Sequence, residues 1–340
     1  MCNKSRIAVL GAGSWGSALA ILLGRNGHSV ALWDHYPGHI GNLIADGENR
    51  AFLPGIPFPS SIEPTTDLPQ TLRGSDIVLI VVPSHAFRAV LENSAADLPE
   101  TAVLSWAAKG LEPGCGHLLS QLAMEVLGPR DVTIVSGPTF AGEVARGLPT
   151  AITVASTNPQ HALKVAESLH GESFRAYTSS DIIGVQVGGA VKNVMAIAAG
   201  IADGLGFGAN TRAALITRGL AEIQRLGAAL GGQPETFMGL AGLGDLVLTC
   251  TDDQSRNRRM GLALAAGKNI TQAREEIGQE VEGVGTAREV FRLADALNVE
   301  MPISTQVYRV LYEGLPPVLA VQNLLGRKQK SENEQASPLD

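Results

Sequence analysis

The chain has 340 residues, 45% of them hydrophobic and 17% charged, so it has enough apolar surface for a large core, and its length suggests two domains rather than one. A formal net charge of −7 argues against general attraction to nucleic acid or an anionic membrane, so any anionic ligand must be met by local cations. The three cysteines, Cys2, Cys115 and Cys250, form no CxxC pair and show no metal-like clustering with the seven histidines, so neither a disulfide framework nor a metal is expected. MCNKSR runs straight into an apolar strand with no long apolar signal region, so the expected location is the reducing cytoplasm.

Residues 7–10 are a short apolar run that ends in Gly11-Ala12-Gly13-Ser14-Trp15-Gly16 and leads into SALAILL, the pattern of strand, glycine turn and helix. Gly11 permits the tight turn, Gly13 lets backbone amides reach a pyrophosphate, and Gly16 lets the helix lie against the strand. Ser14 and Trp15, inside the turn, join them as cofactor contacts. A second strand at 29–33 delivers Asp34 at the spacing where an acid meets an adenosine ribose, which separates a dinucleotide site from a plain βαβ turn. Asp34 favours the free 2′-hydroxyl of NAD, because a carboxylate repels a 2′-phosphate, while the neighbouring His35 can accommodate the phosphate of NADP. Both NAD and NADP stay open.

The segment PGIPFP at 54–59 is expected as an ordered loop before a short strand. DIVLIVV at 76–82 has the continuous apolar character of a central parallel strand buried on both faces. Ligands sit at the carboxyl ends of such strands, so Pro83 and, just beyond it, Phe87 are taken as cofactor neighbours. Residues 102–108 form the next strand and deliver Lys109 toward the same crevice, unless it is a surface lysine in a strand-to-helix loop. Residues 132–136 close on Gly137-Pro138-Thr139-Phe140-Ala141, residues 150–155 and 174–177 read as two more strands, and the sheet is expected to end near Thr178.

Beyond Asp181 only helical periodicity remains. The expected plan is α/β: a Rossmann-type parallel-sheet domain over 1–181, an all-helical domain over 182–327, and a polar, disordered tail over 328–340. The first helix of the second part, IIGVQVGGAVKNVMAIAAGI at 182–201, carries one charge, Lys192, on a face shared with Val185, Gly188, Gly189, Met195, Ala196 and Ala199. A buried lysine escapes its desolvation cost by lowering its pKa or by meeting an arriving anion; otherwise Lys192 snorkels to the surface or pairs with a distant aspartate. The helix is long enough to cross a membrane, but Gln186, Lys192 and Asn193 within it and its lack of basic or aromatic flanks argue for a buried helix of a soluble protein.

Two later stretches carry polar chemistry. In GLAGLGDLVLTC, Asp245 and Thr249 fall one helical turn apart, as a pair suited to diol-like oxygens or as a helix-terminal acid with a back-bonding threonine. In QSRNRR, the densest positive patch of an acidic chain, the guanidinium forks suit phosphate and Asn257 adds a neutral donor, against the alternative of a solvated charge run. EVEGVG at 280–285 reads as a loop before a helix at 286–297, and Pro302 opens another helix.

GAGSWGSALA, LPGIPFP, VVPSHAFR, KGLE, SGPTFAGEVA, VKNVMAIAAGI, AGLGDLVLT and SRNRRMG, in this order, resemble the soluble NAD(P)-dependent glycerol-3-phosphate dehydrogenases over about residues 7–325. The resemblance implies that Lys192 is the acid/base and a substrate contact, and that Lys109 is a second ligand for substrate and cofactor. It places Gly137 and Thr139 at the substrate and Ala141 at the cofactor. Asp245, Thr249, Ser255, Arg256 and Asn257 are implied to meet the substrate, with Arg256 also reaching the cofactor, and Glu280 and Glu282 to lie on the cofactor side. The implied reaction is hydride transfer between nicotinamide and dihydroxyacetone phosphate, giving sn-glycerol 3-phosphate for phospholipid synthesis. A small-molecule substrate and a homodimer are the expected partners. The rivals are a 6-phosphogluconate or 3-hydroxy-acid dehydrogenase, with the same two-part plan and a lysine base, and a non-catalytic NAD-binding redox sensor, which needs no buried Lys192.

Overall fold

A computed structural model describes residues 4–329. Ten strands form: β1 (Arg6–Leu10), β2 (Ser29–Trp33), β3 (Glu48–Asn49), β4 (Leu53–Pro57), β5 (Ile62–Thr65), β6 (Ile77–Ile80), β7 (Val103–Trp106), β8 (Val132–Ser136), β9 (Thr150–Ser156) and β10 (Phe174–Ser179). Eight of them make one sheet in the order β10-β9-β8-β7-β6-β1-β2-β5. Ile7, Ala8, Val9 and Leu10 are each 0% exposed, as a central strand covered by helices on both faces must be. Leu10 stands opposite both Trp33 of β2 and Ile80 of β6, so the carboxyl ends of three strands open at one level. The chain leaves β1 for β2 on one side and returns to β6 on the other, which is where an open α/β sheet forms its crevice.

The sheet departs from the expected parallel plan at one pair. β8 and β9 are antiparallel, with Ser136 opposite Thr153, so β9 and β10 run against the other six strands. Their connection holds only the six-residue helix Ala141–Arg146, which turns the chain back instead of crossing a sheet face. A second difference lies in PGIPFP. Part of it is β4, which pairs antiparallel with β3 in a separate two-stranded sheet, where a proline is tolerated because no further strand needs its missing N–H.

No strand follows β10 among the described residues. The helix Ile182–Gly204 is the axis of the remainder: every residue from Gly184 to Ala202 is buried. Its glycines set how closely neighbours approach. A Cβ on Gly200 would stand 2.1 Å from the carbonyl oxygen of Arg258, and a Cβ on Gly261 would stand 2.1 Å from that of Ile197, so the helix Arg256–Ala265 crosses almost backbone to backbone. By length and composition the central helix passes the test for a membrane span, yet 89% of its most apolar window is buried within the protein, as for a core helix. The helix expected from residue 286 begins earlier and runs Glu282–Ala296. Gly283 causes the difference: its N–H donates to Asn257 Oδ1 at 2.8 Å, and a Cβ there would stand 2.7 Å from the carbonyl oxygen of Asn193. Cys2 and residues 330–340 of the expected tail lie outside the described residues.

Candidate active site

The carboxyl ends of β1, β6 and β7 meet the central helix and the start of the helix Arg256–Ala265 around a cleft of about 430 Å³. At one end, the helix Ser14–Arg25 presents its first amides with no side-chain cap and no acid in the first turn. Such a terminus favours an anion. Gly11 has φ +114 and its Cβ would meet the Val81 carbonyl oxygen at 2.8 Å, and a Cβ on Gly16 would stand 1.8 Å from the Gly11 carbonyl oxygen; around Gly13 nothing lies within 4 Å. The turn is thus closed at two glycines and open at the third. The Trp15 indole N–H is buried without a partner beside this opening. An uncapped amide terminus, an open glycine and an orphaned donor fit a dinucleotide phosphate.

A clamp holds that turn. The Ala12 N–H donates to Asp34 Oδ2 at 3.0 Å, and the Ala12 carbonyl accepts from Asn49 Nδ2 and His39 Nε2, each at 2.9 Å. Asn49 also donates to Ser17 Oγ at 2.8 Å and accepts from the Phe52 N–H at 3.2 Å. The other Asp34 oxygen accepts from the Tyr36 N–H at 3.1 Å and lies 3.2 Å from His35 Nδ1. Asp34 therefore braces the glycine turn as well as ending β2. Asn49 is absent from the sequence-based set because nothing in its spacing marks it; its hydrogen bonds to residues 32–37 positions away do. We expect Asn49→Ala to cost roughly 1–3 kcal/mol of stability, from the loss of two buried hydrogen bonds, to Ala12 and Ser17, although His39 still donates to the Ala12 carbonyl, and to raise KM for the dinucleotide more than KM for the second substrate. Urea unfolding and paired KM measurements check this.

Deeper in, one carboxylate joins two lysines. Lys109, just beyond β7, donates to Asp245 Oδ2 at 2.6 Å and to the Gly137 carbonyl at 2.9 Å. Lys192 Nζ lies 3.0 Å from Asp245 Oδ1 and donates to Thr249 Oγ1 at 2.8 Å. Thr249 in turn donates to the Asp245 carbonyl at 2.6 Å. The helix Asp245–Thr251 reaches this depth because small residues precede it: a Cβ on Gly188 of the central helix would stand 2.5 Å from the Ala241 carbonyl oxygen. Lys192 is 7% exposed and Asp245 is 1% exposed. Burial pushes the Lys192 ammonium down to about 8, opposed by Asp245 and reinforced by Lys109. Burial alone would raise the Asp245 carboxyl, but Lys109 and Lys192 more than offset it and hold it below its usual range. The distant aspartate among the sequence alternatives is thus real: it offsets part of the cost of burial, and with a pKa of about 8 Lys192 stays mostly protonated near neutral pH.

The opposite wall is cationic. Ser255 caps the helix Arg256–Ala265 by accepting from the Arg258 N–H at 3.2 Å. Arg258 is spent on Asp203, and on Asp253 at 2.8 Å. Arg256 makes no ion pair within 4.0 Å among the described residues; it donates to Gln279 Oε1 at 3.4 Å and feels the charges of Glu282 and Glu280, and the Arg259 Nε–H is buried without a partner. Both line the cleft. Asn257 bridges Asn193 Oδ1 at 2.8 Å and the Gly283 N–H. Glu282 accepts from the Ser84 hydroxyl at 2.8 Å and the Ser84 N–H at 3.2 Å, and burial raises its carboxyl.

Of the residues singled out from sequence, Gly13, Ser14, Trp15, Pro83, Lys109, Thr139, Ala141, Lys192, Thr249, Ser255, Arg256, Asn257, Glu280 and Glu282 line the cleft. Gly11, Gly16, Gly137 and Asp245 stand behind its wall and act on it through backbone or through the lysines. Asp34 and His35 sit beyond the end of β2, outside the lining. Phe87 does not belong with them. It is 0% exposed and packs edge-on to Trp106 at 5.3 Å, because its helix, Ser84–Ser94, turns that position onto the sheet. Asn193, Gln254, Arg259 and Gln279 line the cleft as well and were not singled out. Asn193, beside Lys192, and Gln254 and Arg259, at the two ends of QSRNRR, carried a sequence signal; Gln279 carried none.

The chain matches two family models, NAD-dependent glycerol-3-phosphate dehydrogenase N-terminus over residues 6–162 and C-terminus over residues 181–322. It is 56% identical over 338 residues to a protein of Shewanella halifaxensis named glycerol-3-phosphate dehydrogenase (NAD(P)+), spanning 99% of this chain and 100% of that one. A protein of the same name from Aeromonas hydrophila is 57% identical over 334 residues, spanning 98% and 100%. The crystal structure of glycerol-3-phosphate dehydrogenase from Coxiella burnetii superposes with a TM-score of 0.93 at 48% identity, covering 95% of this chain and 99% of that one.

Proposed function

Because the chain belongs to the NAD-dependent glycerol-3-phosphate dehydrogenase family, we propose that it interconverts dihydroxyacetone phosphate and sn-glycerol 3-phosphate with NAD(P)H, using Lys192 as the acid/base. One observation carries this choice of residue: a buried lysine with its pKa brought to about 8 stands at the cleft between a shared carboxylate and a hydroxyl. The cofactor, when bound against Gly13, Ser14, Trp15 and Ala141, supplies or accepts the hydride.

The chain's own groups handle charge and position. Adding hydride to the substrate carbonyl makes an alkoxide, and protonated Lys192 stabilises the developing negative charge and delivers its proton to that oxygen. In the reverse direction neutral Lys192 takes the hydroxyl proton. Asp245 holds both lysines and so fixes where their N–H groups point. Lys109 keeps a second positive charge near the reacting oxygen, and Thr249 orients Lys192. Arg256, with Asn257 beside it, receives the phosphate, since its guanidinium lines the cleft, partly buried, and makes no direct ion pair with a carboxylate among the described residues, Glu282 and Glu280 acting on it only at longer range. Asp34 and His35 leave room for either form of the adenosine ribose. We further propose that residues 1–181 and 182–327 act as cofactor and substrate domains, that the enzyme works as a cytoplasmic homodimer, and that its product feeds phospholipid synthesis.

The test is loss of reduced-nicotinamide absorbance on adding dihydroxyacetone phosphate, with NADH and NADPH in parallel. Substrate-dependent oxidation supports the assignment, and oxidation of neither cofactor although both bind overturns it. Arg256→Ala is expected to raise KM for the phosphorylated substrate roughly tenfold to hundredfold, as loss of a charged hydrogen bond does, and an unchanged KM would place the phosphate elsewhere.

A further inference from the structure

We propose that Glu112, Cys115 and His117 form a binding site for one divalent metal ion of the zinc class, separate from the cleft. The three lie in the loop between β7 and the helix Leu119–Leu127, which Leu111 and Leu118 close as an isolated bridge. Within it the Glu112 N–H donates to the His117 carbonyl at 2.9 Å and the Gly116 N–H to the Glu112 carbonyl at 3.0 Å. Gly114 and Gly116, at φ +94 and +70, supply the left-handed turns that fold Cys115 and His117 back over the glutamate.

The donor atoms converge on one oxygen. Arg88 Nε fixes Glu112 Oε1 at 2.6 Å, leaving Oε2 to accept from Cys115 Sγ at 3.0 Å, with His117 Nδ1 at 3.6 Å. One ligand atom from each residue lies within 4.8 Å of the others. A tetrahedral ion with bonds of about 2.0–2.3 Å sets its ligand atoms roughly 3.3–3.8 Å apart, so only small rotations separate this arrangement from coordination. Carboxylate, imidazole and thiolate together suit zinc rather than calcium or magnesium.

Charge points the same way. Among the described residues Arg88 is the one guanidinium within 4.0 Å of Glu112, and it also meets Glu125 at 3.0 Å and Glu92 at 3.5 Å, so three carboxylates share one positive charge. A fourth stands alongside. Glu289 Oε2 is buried without a hydrogen-bond partner, 3.9 Å from where a Cβ on Gly116 would be, although its Oε1 meets Arg292 at 3.6 Å. A divalent cation compensates this surplus. Glu112 is 6% exposed and held in place, while Cys115 is exposed and the His117 side chain is 48% exposed, so two ligands stand at the entry path. On uptake the Cys115 thiol releases its proton to the buffer and neutral His117 binds through Nδ1, so no other reactant is needed.

Cobalt(II) is the probe, titrated into the full chain under reducing conditions and followed by its thiolate charge-transfer and ligand-field absorption. The wild-type chain is expected to show these bands at one equivalent and to lose them on adding zinc. Cys115→Ser and His117→Ala should each weaken cobalt binding about tenfold or more, while Cys2→Ser leaves the bands intact. Turnover without metal, equal in all variants and the wild type, shows that they fold. Absence of the bands from the wild type, their loss in Cys2→Ser, or their survival in both loop variants overturns the site.

Discussion

Replacing Lys192 by alanine is expected to lower turnover about 10²- to 10⁴-fold, the range that a positioned general acid supplies, while NADH still binds with near-wild-type affinity. The fold should survive, for a reason visible in the ion-pair geometry. Removing one ammonium does not strand Asp245, because Lys109 remains 2.6 Å from its other oxygen. Alanine is also the residue best suited to a helix interior, and position 192 lies inside the helix Ile182–Gly204. NADH titration by fluorescence and turnover at saturating substrate separate the two effects. Near-wild-type turnover would remove Lys192 from the chemistry. On the proposed mechanism carbonyl reduction uses the protonated lysine, so its rate is expected to fall as pH rises through about 8, whereas alcohol oxidation uses the neutral lysine and is expected to rise over the same interval. The same depression bears on stability. Between about 8 and the ordinary lysine value of 10.5 the unfolded chain holds a proton that the folded one has released, so the contribution of this group to stability grows as pH rises there.

What could be read from the sequence was whatever is local in it. The glycine turn follows from three glycines spaced within six residues after an apolar strand, and each occupies the structural situation its missing side chain suggests. The burial of Lys192 follows from the small apolar residues on its own helix face. What escaped depends on which segments approach across the fold. Asp245 and Thr249 fall one turn apart as expected, yet that Asp245 joins Lys192 to Lys109 is set by how closely the segment before its helix approaches the central helix, an approach that Gly188 permits. Phe87 was assigned by nearness to Pro83 in the chain, whereas the rotation of its helix decides that it faces Trp106. Asn49 and its hold on Ala12 depend on a hairpin at the rim of the sheet, and the antiparallel β9 depends on how a short helix turns. Glu112, Cys115 and His117 escaped for another reason: they lie within six residues of one another, yet their spacing matches no metal motif, and the turns at Gly114 and Gly116 are what bring the three ligand atoms together.

The second large effect concerns Asp245. Asp245→Asn keeps the shape and removes the charge that two lysines share, so the remaining pair of ammonium groups is mutually repulsive in a buried site. Were both to stay charged, the loss would approach the roughly 3–5 kcal/mol that follows removal of one partner from a buried ion pair. Lys192 has a cheaper response, which is to release its proton. Asp245 is the group that raises the pKa of Lys192 against burial, so without it that pKa falls further below about 8. The consequence is directional: the pH at which carbonyl reduction is half lost moves down, and at neutral pH reduction falls by roughly twofold for the first pH unit of displacement from about 8 and by up to about tenfold for each further unit, once the pKa lies below the assay pH. Lys109→Met should do the reverse. Lys109 lowers the Lys192 pKa, so its removal, with Asp245 left to Lys192 alone, moves the same limb up, whatever it does to KM. Opposite displacements of one limb by two neighbouring substitutions are hard to obtain from general damage to the fold. Limbs that stay in place in both variants would mean that the group titrating in the rate is not Lys192.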